Sequence, residues 1–89
     1  MLLFAMVTLC QVLLFEQPGC ASCKQSYREL SQHPSISLQV YDVTKERSLA
    51  NSYGVFGAPV AIFLREGKEI GRVYGYNPSL LRSLVDRCL

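Results

Sequence analysis

Val12-Leu13-Leu14-Phe15-Glu16-Gln17-Pro18-Gly19-Cys20-Ala21-Ser22-Cys23-Lys24 is the stretch that decides the fold. Its first four residues close an apolar run from Val7 to Phe15. A run this rich in Val, Leu and Phe reads as a buried β-strand. Gln17-Pro18-Gly19 then reads as a turn. From Cys20 the period changes: Cys20, Cys23, Tyr27 and Leu30 recur at steps of three and four. That spacing lays them on one face of a helix, with Lys24, Gln25, Arg28, Glu29 and Gln32 largely outside it. A strand, a tight turn and a helix that opens on a C-x-x-C pair are therefore predicted in one continuous unit.

The rest of the chain extends this unit in the same alternation. Pro34 stops the helix, because the residue before a proline disfavours helical geometry. Ile36, Leu38 and Val40 alternate with Ser37 and Gln39, a half-buried strand ending near Val43. Thr44 is the expected cap of a second helix, with Leu49, Ala50 and Tyr53 as its inner stripe and Gly54 as its end. Val60 to Arg65 and Lys68 to Tyr74 read as two strands joined at Glu66-Gly67. Asn77 and Pro78 open a last helix, whose Leu81, Leu84, Val85 and Cys88 fall on one face. The order β-α-β-α-β-β-α predicts an α/β domain with a four-stranded mixed sheet and helices on its faces.

Composition bounds what such a domain does. The chain has 89 residues, enough for a single domain. With 49% hydrophobic and 18% charged residues it is not a disordered chain. A net charge of +2 argues against nucleic acid or a membrane surface as a partner. The opening Met1 to Phe15 is almost wholly apolar but shorter than the roughly 20 residues of a spanning helix. It also lacks the early basic residue and small-residue cleavage pattern of a signal peptide. A cytoplasmic monomer is the expectation, export or anchoring by this segment being the alternative; Met1 to Met6 has no assigned element. Four cysteines are present, of which Cys20 and Cys23 form a close pair and Cys10 and Cys88 stand apart. Cys10 in an apolar strand and Cys88 in an apolar helical stripe read as packing residues.

The chemistry centres on Cys20-Ala21-Ser22-Cys23. Thiols react as thiolates, and the N-terminus of a helix stabilises negative charge through unpaired N–H groups and the helix dipole. Cys20 is placed there, which makes it the expected attacking sulfur. Cys23, one turn on and facing the same way, is then positioned to attack a mixed disulfide on Cys20. Half of a zinc site is the competing reading, but structural zinc takes four ligands and only Cys10, Cys88 and His33 remain, none in a second paired motif. An iron–sulfur cluster shared by two subunits is a further alternative, since a cluster takes four thiolates.

The segment Phe15-Glu16-Gln17-Pro18-Gly19-Cys20-Ala21-Ser22-Cys23-Lys24 resembles the active-site segment of the thioredoxin family. Tyr53-Gly54-Val55-Phe56-Gly57-Ala58-Pro59 is similar to that family's approach to its cis-proline, and Phe63 to Lys68 to its strand–turn–strand. The resemblance runs over nearly the whole chain from Val12, at a length nearer to glutaredoxin. It implies a minimal thioredoxin-like fold and thiol–disulfide exchange on protein substrates. No organic cofactor and no metal are implied; electrons come from a partner reductase or a dithiol. It also implies that Pro59 is cis and packs beside Cys20 and Cys23, with the Ala58 backbone open to an extended substrate. Gly57, Gly75 and Tyr76 then border the docking surface.

This sequence departs from the family pattern at several points. Leu14 stands where thioredoxins carry a buried aspartate, and Val40 where they carry a buried lysine. Glu16 and Gly19 replace the tryptophans that flank the motif, and the chain has no Trp. Glu16 reads first as a solvated charge at the strand end and second as a proton acceptor in place of the missing aspartate. Against glutaredoxin, the chain has Ala-Ser between the cysteines and Gly-Ala before the proline. Lys24 and the helix starting at Pro78 are the groups that a glutathione-dependent reductase would use. The other alternative is a binding or assembly module that holds a metal or a dedicated protein partner, or a fold relative in which the cysteine pair is incidental.

Overall fold

The computed structural model describes residues 9–89. Seven elements follow in the predicted order: β1 (Cys10–Glu16), α1 (Ala21–Leu30), β2 (Ser37–Asp42), α2 (Arg47–Ser52), β3 (Val60–Arg65), β4 (Lys68–Tyr74) and α3 (Pro78–Cys88). The expected strand start at Val7 and the surplus Met1 to Met6 lie outside the described residues. The sheet runs β2-β1-β3-β4, with β1 parallel to β2 and the other two pairings antiparallel. A helix must carry the chain between two parallel strands, and α1 does so.

Alternation along β1 sorts the core into two halves. Val12 and Leu14 join Leu30, Ala61, Phe63, Val73, Leu81, Leu84 and Val85 on the side of α1 and α3. Leu13 and Phe15 join Ala50, Val55, Val60 and Ile62 on the side of α2. All four β1 positions from Val12 to Phe15 are at most 4% exposed, as a central strand with both faces covered requires. Each fully buried Leu, Ile, Val or Phe side chain contributes about 1.5–3 kcal/mol.

Three local expectations differ from the structure. On α1 the inner face is Cys23, Ser26 and Leu30, while Tyr27 is 47% exposed. A step of three from Cys23 reaches Ser26 and a step of four reaches Tyr27; both are compatible with a helix face, and packing against the sheet selects Ser26. The Ser26 hydroxyl is buried without a hydrogen-bond partner. On β2, Val40 is exposed because this strand is at the sheet edge. At α2 the N-cap is Glu46 with no side-chain cap bond, and Thr44 instead turns back on Asp42. Asn77 does cap α3, its Oδ1 accepting the Leu80 N–H at 3.1 Å with Pro78 in the first turn.

The two outlying cysteines are joined. Cys10 and Cys88 form a disulfide across a sequence separation of 78, with Cα atoms 5.3 Å apart. Both are buried, as read from the sequence, but they staple the first strand to the end of the last helix rather than packing singly. They meet because Cys10 pairs with Arg65 in the sheet, and the Arg65 guanidinium donates to the carbonyls of Cys88 and Leu89 at 2.6 and 3.0 Å. Those carbonyls are among the unpaired acceptors at the helix C-terminus.

Helix α3 also depends on Gly71 of β4. A Cβ at that position would lie 2.7 Å from Leu84 Cδ2, and Leu84 is 2% exposed with little room to turn. Gly71→Ala is therefore expected to cost about 1–3 kcal/mol through overpacking. A urea titration reads this as a lower midpoint at unchanged slope; a midpoint equal to the wild type's would show that Leu84 repacks freely.

Candidate active site at one end of the sheet

The strand registers bring four chain segments to one end of the sheet. Glu16 of β1 lies opposite Asp42 of β2, Phe15 opposite Val60 of β3, and Val60 opposite Tyr74 of β4. The Gln17-Pro18-Gly19 turn, the start of α1, the Ala58-Pro59 approach to β3 and the Gly75 exit from β4 all belong to that end. Gly19 has φ +74°, a region that favours glycine, and turns the chain from strand into helix.

Cys20 is the N-cap of α1, with extended backbone, and its Sγ accepts the Cys23 N–H at 3.1 Å. The Ser22 hydroxyl lies 3.7 Å from the same sulfur. No acidic residue stands in the first turn of the helix, so nothing there opposes the positive end of its dipole. Cys20 is half-buried, whereas Cys23 is 2% exposed on the inner face. The two sulfurs are bonded as a disulfide, with Cα atoms 5.2 Å apart. This arrangement can exchange with an external thiol or disulfide through the outer sulfur while the inner one stays shielded.

The Ala58–Pro59 peptide bond is cis. Pro59 is buried, Ala58 half-buried and Gly57 exposed. Gly75 N–H donates to the Pro59 carbonyl at 2.8 Å, which ties the β4 exit to the proline. Tyr76 lies differently from the rim position expected of it: it is half-buried against the α1/α3 core, beside Gln25, Arg28, Glu29 and Gln32. The exposed aromatics at this end are Phe56, 87% exposed, and Tyr74, 68% exposed. Tyr74 alternates with buried Val73, so the strand period alone would have turned it outward.

A cleft of about 200 Å³ opens beside the cysteines, lined by Glu16, Gly19, Cys20, Cys23, Lys24 and Asp42 among others. Two carboxylates therefore face it. Asp42 Oδ1 accepts the Thr44 hydroxyl at 2.6 Å and the Thr44 N–H at 2.8 Å. Those two bonds, the hydroxyl's first, hold the Asp42 carboxyl below its ordinary range. Among the described residues the Glu16 carboxylate has no hydrogen bond or ion pair. Leu14, where a family aspartate was sought, is fully buried in the apolar core. A zinc site on Cys20 and Cys23 would need two more ligands, and the chain's other two cysteines are bonded to each other. Among the described residues no helix is long and apolar enough to cross a membrane.

Known proteins resemble this chain in sequence and in fold. A family model described as a thioredoxin-like domain matches residues 9–84. The SPbeta prophage-derived thioredoxin-like protein YosR of Bacillus subtilis is 37% identical over 76 residues, covering 84% of this chain and 94% of that protein. Putative thioredoxin H10 of Arabidopsis thaliana is 29% identical over 75 residues, and there the match spans 80% of this chain and about half, 49%, of the plant protein. Among solved structures, Fasciola hepatica thioredoxin superposes with a TM-score of 0.80 at 25% identity, over 90% of this chain and 81% of that one. Thioredoxin NaTrxh of Nicotiana alata gives 0.81 at 22% identity, over 93% and 76%, a likeness of fold.

Proposed function

This chain belongs to the thioredoxin-like family, and from its cysteine geometry we propose that it is a thiol–disulfide oxidoreductase acting on disulfides of protein substrates. The observation that carries the reading is the bonded pair itself: a half-buried Cys20 sulfur at a helix N-cap, backed by a buried Cys23. In the reduced protein, the helix N-terminus and the Cys23 N–H favour the Cys20 thiolate. That thiolate attacks a substrate disulfide, forming a mixed disulfide and releasing one substrate thiol. Cys23 then attacks Cys20, closing the internal disulfide and releasing the second substrate thiol. An external dithiol or a partner reductase restores the reduced pair. The substrate chain lies along Ala58, whose backbone precedes β3 at the open end of the sheet, with Gly57 and Gly75 beside it.

The reading is tested by equilibrating the protein in dithiol buffers of graded potential and counting alkylated thiols by mass. Cys20 and Cys23 should be labelled together in one two-electron transition. Cys10 and Cys88, buried and remote from the cleft, should remain unlabelled over the same range. A pair that never opens, or opens without exchanging with a protein disulfide, would refute the proposal.

A further inference from the structure

We propose that Glu16 is the group that takes the proton from Cys23 when Cys23 attacks the mixed disulfide. This rests on the oxidoreductase reading and assigns it one more residue. A buried thiol holds its proton more tightly than an exposed one, and the attacking species must be the thiolate. Cys20 has the helix N-terminus for this purpose. Cys23 is 2% exposed on the inner face of α1 and needs a base.

The strand beneath α1 offers one. Residues two apart on a strand share a face. Leu14 packs on the α1 side of the sheet, so Glu16 is on that side as well, about 7 Å farther along. There Glu16 lines the same cleft as Cys23. The cleft's volume of about 200 Å³ leaves room for water to bridge them, a water occupying about 30 Å³. The groups facing Glu16 are Lys24, Tyr27 and Arg28 from α1 and Asp42 from β2. Of the two carboxylates, Asp42 is occupied by Thr44, which favours its ionised form and makes it a poor proton acceptor. Among the described residues the Glu16 carboxylate has no such partner, which leaves both its oxygens open to the cleft.

The step balances as follows. The Cys23 S–H proton passes to the Glu16 carboxylate, directly or through a bridging water. The Cys23 thiolate attacks Cys20 Sγ, and a Cys20–Cys23 bond forms. The bond from Cys20 to the substrate sulfur breaks, and that sulfur leaves with the electron pair. The substrate is reduced, the cysteine pair oxidised, and the proton on Glu16 returns to solvent or to the departing thiolate. In the reverse direction Glu16 hands the proton back to Cys23.

Reduced protein mixed with dithiobisnitrobenzoate tests this, because each step releases one coloured thiol. Glu16→Gln should leave the first release within about twofold of wild type and slow the second on the order of 100-fold at neutral pH. Wild type should show a second phase nearly level across neutral pH. In E16Q that phase should rise about tenfold per pH unit toward the ordinary thiol range near 8.5. Glu16→Asp should recover part of the rate together with the level profile. Asp42→Asn, which keeps an oxygen for Thr44, should change the second phase less than threefold. A second phase in E16Q with wild-type rate and slope overturns the assignment, as does an equal loss in D42N. Failure of the oxidoreductase reading looks different: wild type itself then fails to close the Cys20–Cys23 disulfide.

Discussion

Cys20→Ser is expected to reduce turnover of a protein disulfide by at least about 1000-fold, to the level of the dithiol donor alone, because a serine hydroxyl at neutral pH is not a usable nucleophile for sulfur. The comparison is made against reduced wild type, since neither protein then carries the short cross-link. Cys23→Ser gives the complementary result. Its Cys20 still attacks, but nothing closes onto it, so the mixed disulfide with the substrate accumulates and is captured by mass. The asymmetry follows from burial: Cys20 is half-buried at the tip of α1 and Cys23 is 2% exposed beneath it. Trapping through Cys23 in the C20S protein, instead of through Cys20 in the C23S protein, would reverse the assigned roles.

The second large effect concerns stability. The Cys10–Cys88 disulfide closes a loop spanning a sequence separation of 78. Chain-entropy reasoning assigns a loop of that size about 4.5 kcal/mol, all of it through the unfolded state. For a domain whose total stability is roughly 5–15 kcal/mol, this is a large share. The double variant Cys10→Ala/Cys88→Ala is therefore expected to melt roughly 20 °C or more below wild type. Its single-turnover exchange below the melting transition should be retained, because the staple and the Cys20 site lie at opposite ends of β1. Thermal unfolding followed by circular dichroism checks the first part; a loss under about 1 kcal/mol would show that the staple contributes little. Short chains bury a smaller fraction of their surface, and a cross-link between their ends offsets part of that deficit.

Much of this arrangement was legible in the sequence, for reasons that are local. Glu66-Gly67 marked the β3–β4 turn, Asn77-Pro78 marked the start of α3, and the apolar run through Phe15 marked a strand covered on both sides. The C-x-x-C after Gln17-Pro18-Gly19 placed Cys20 at a helix N-terminus, because turn chemistry and helix period are properties of neighbouring residues. The misreadings share a different origin. Tyr27 and Ser26 are both compatible with the inner face of α1, and only the sheet beneath decides between them. Thr44 has the chemistry of a cap, but the Asp42 carboxylate two residues earlier competes for its hydroxyl and N–H. Tyr76 was expected at the open rim, and the start of α3 turns it onto the core.

By itself, then, the sequence determined the order of elements, the two-sided burial of β1, and a thiol pair poised at a helix tip, all of which depend on residues within about two turns of one another. Tertiary structure alone decided what depends on residues far apart in the chain. The antiparallel pairing of β1 with β3 carries Cys10 to Arg65 and thus to the end of α3, where Cys88 completes a staple that no spacing rule encodes. The parallel pairing of β1 with β2 sets Glu16 against Asp42, and the placement of α1 brings Cys23 to the same cleft. Which of the two carboxylates is engaged by a hydrogen bond is decided only there, because it depends on a Thr44 contact and a strand register rather than on either residue's identity.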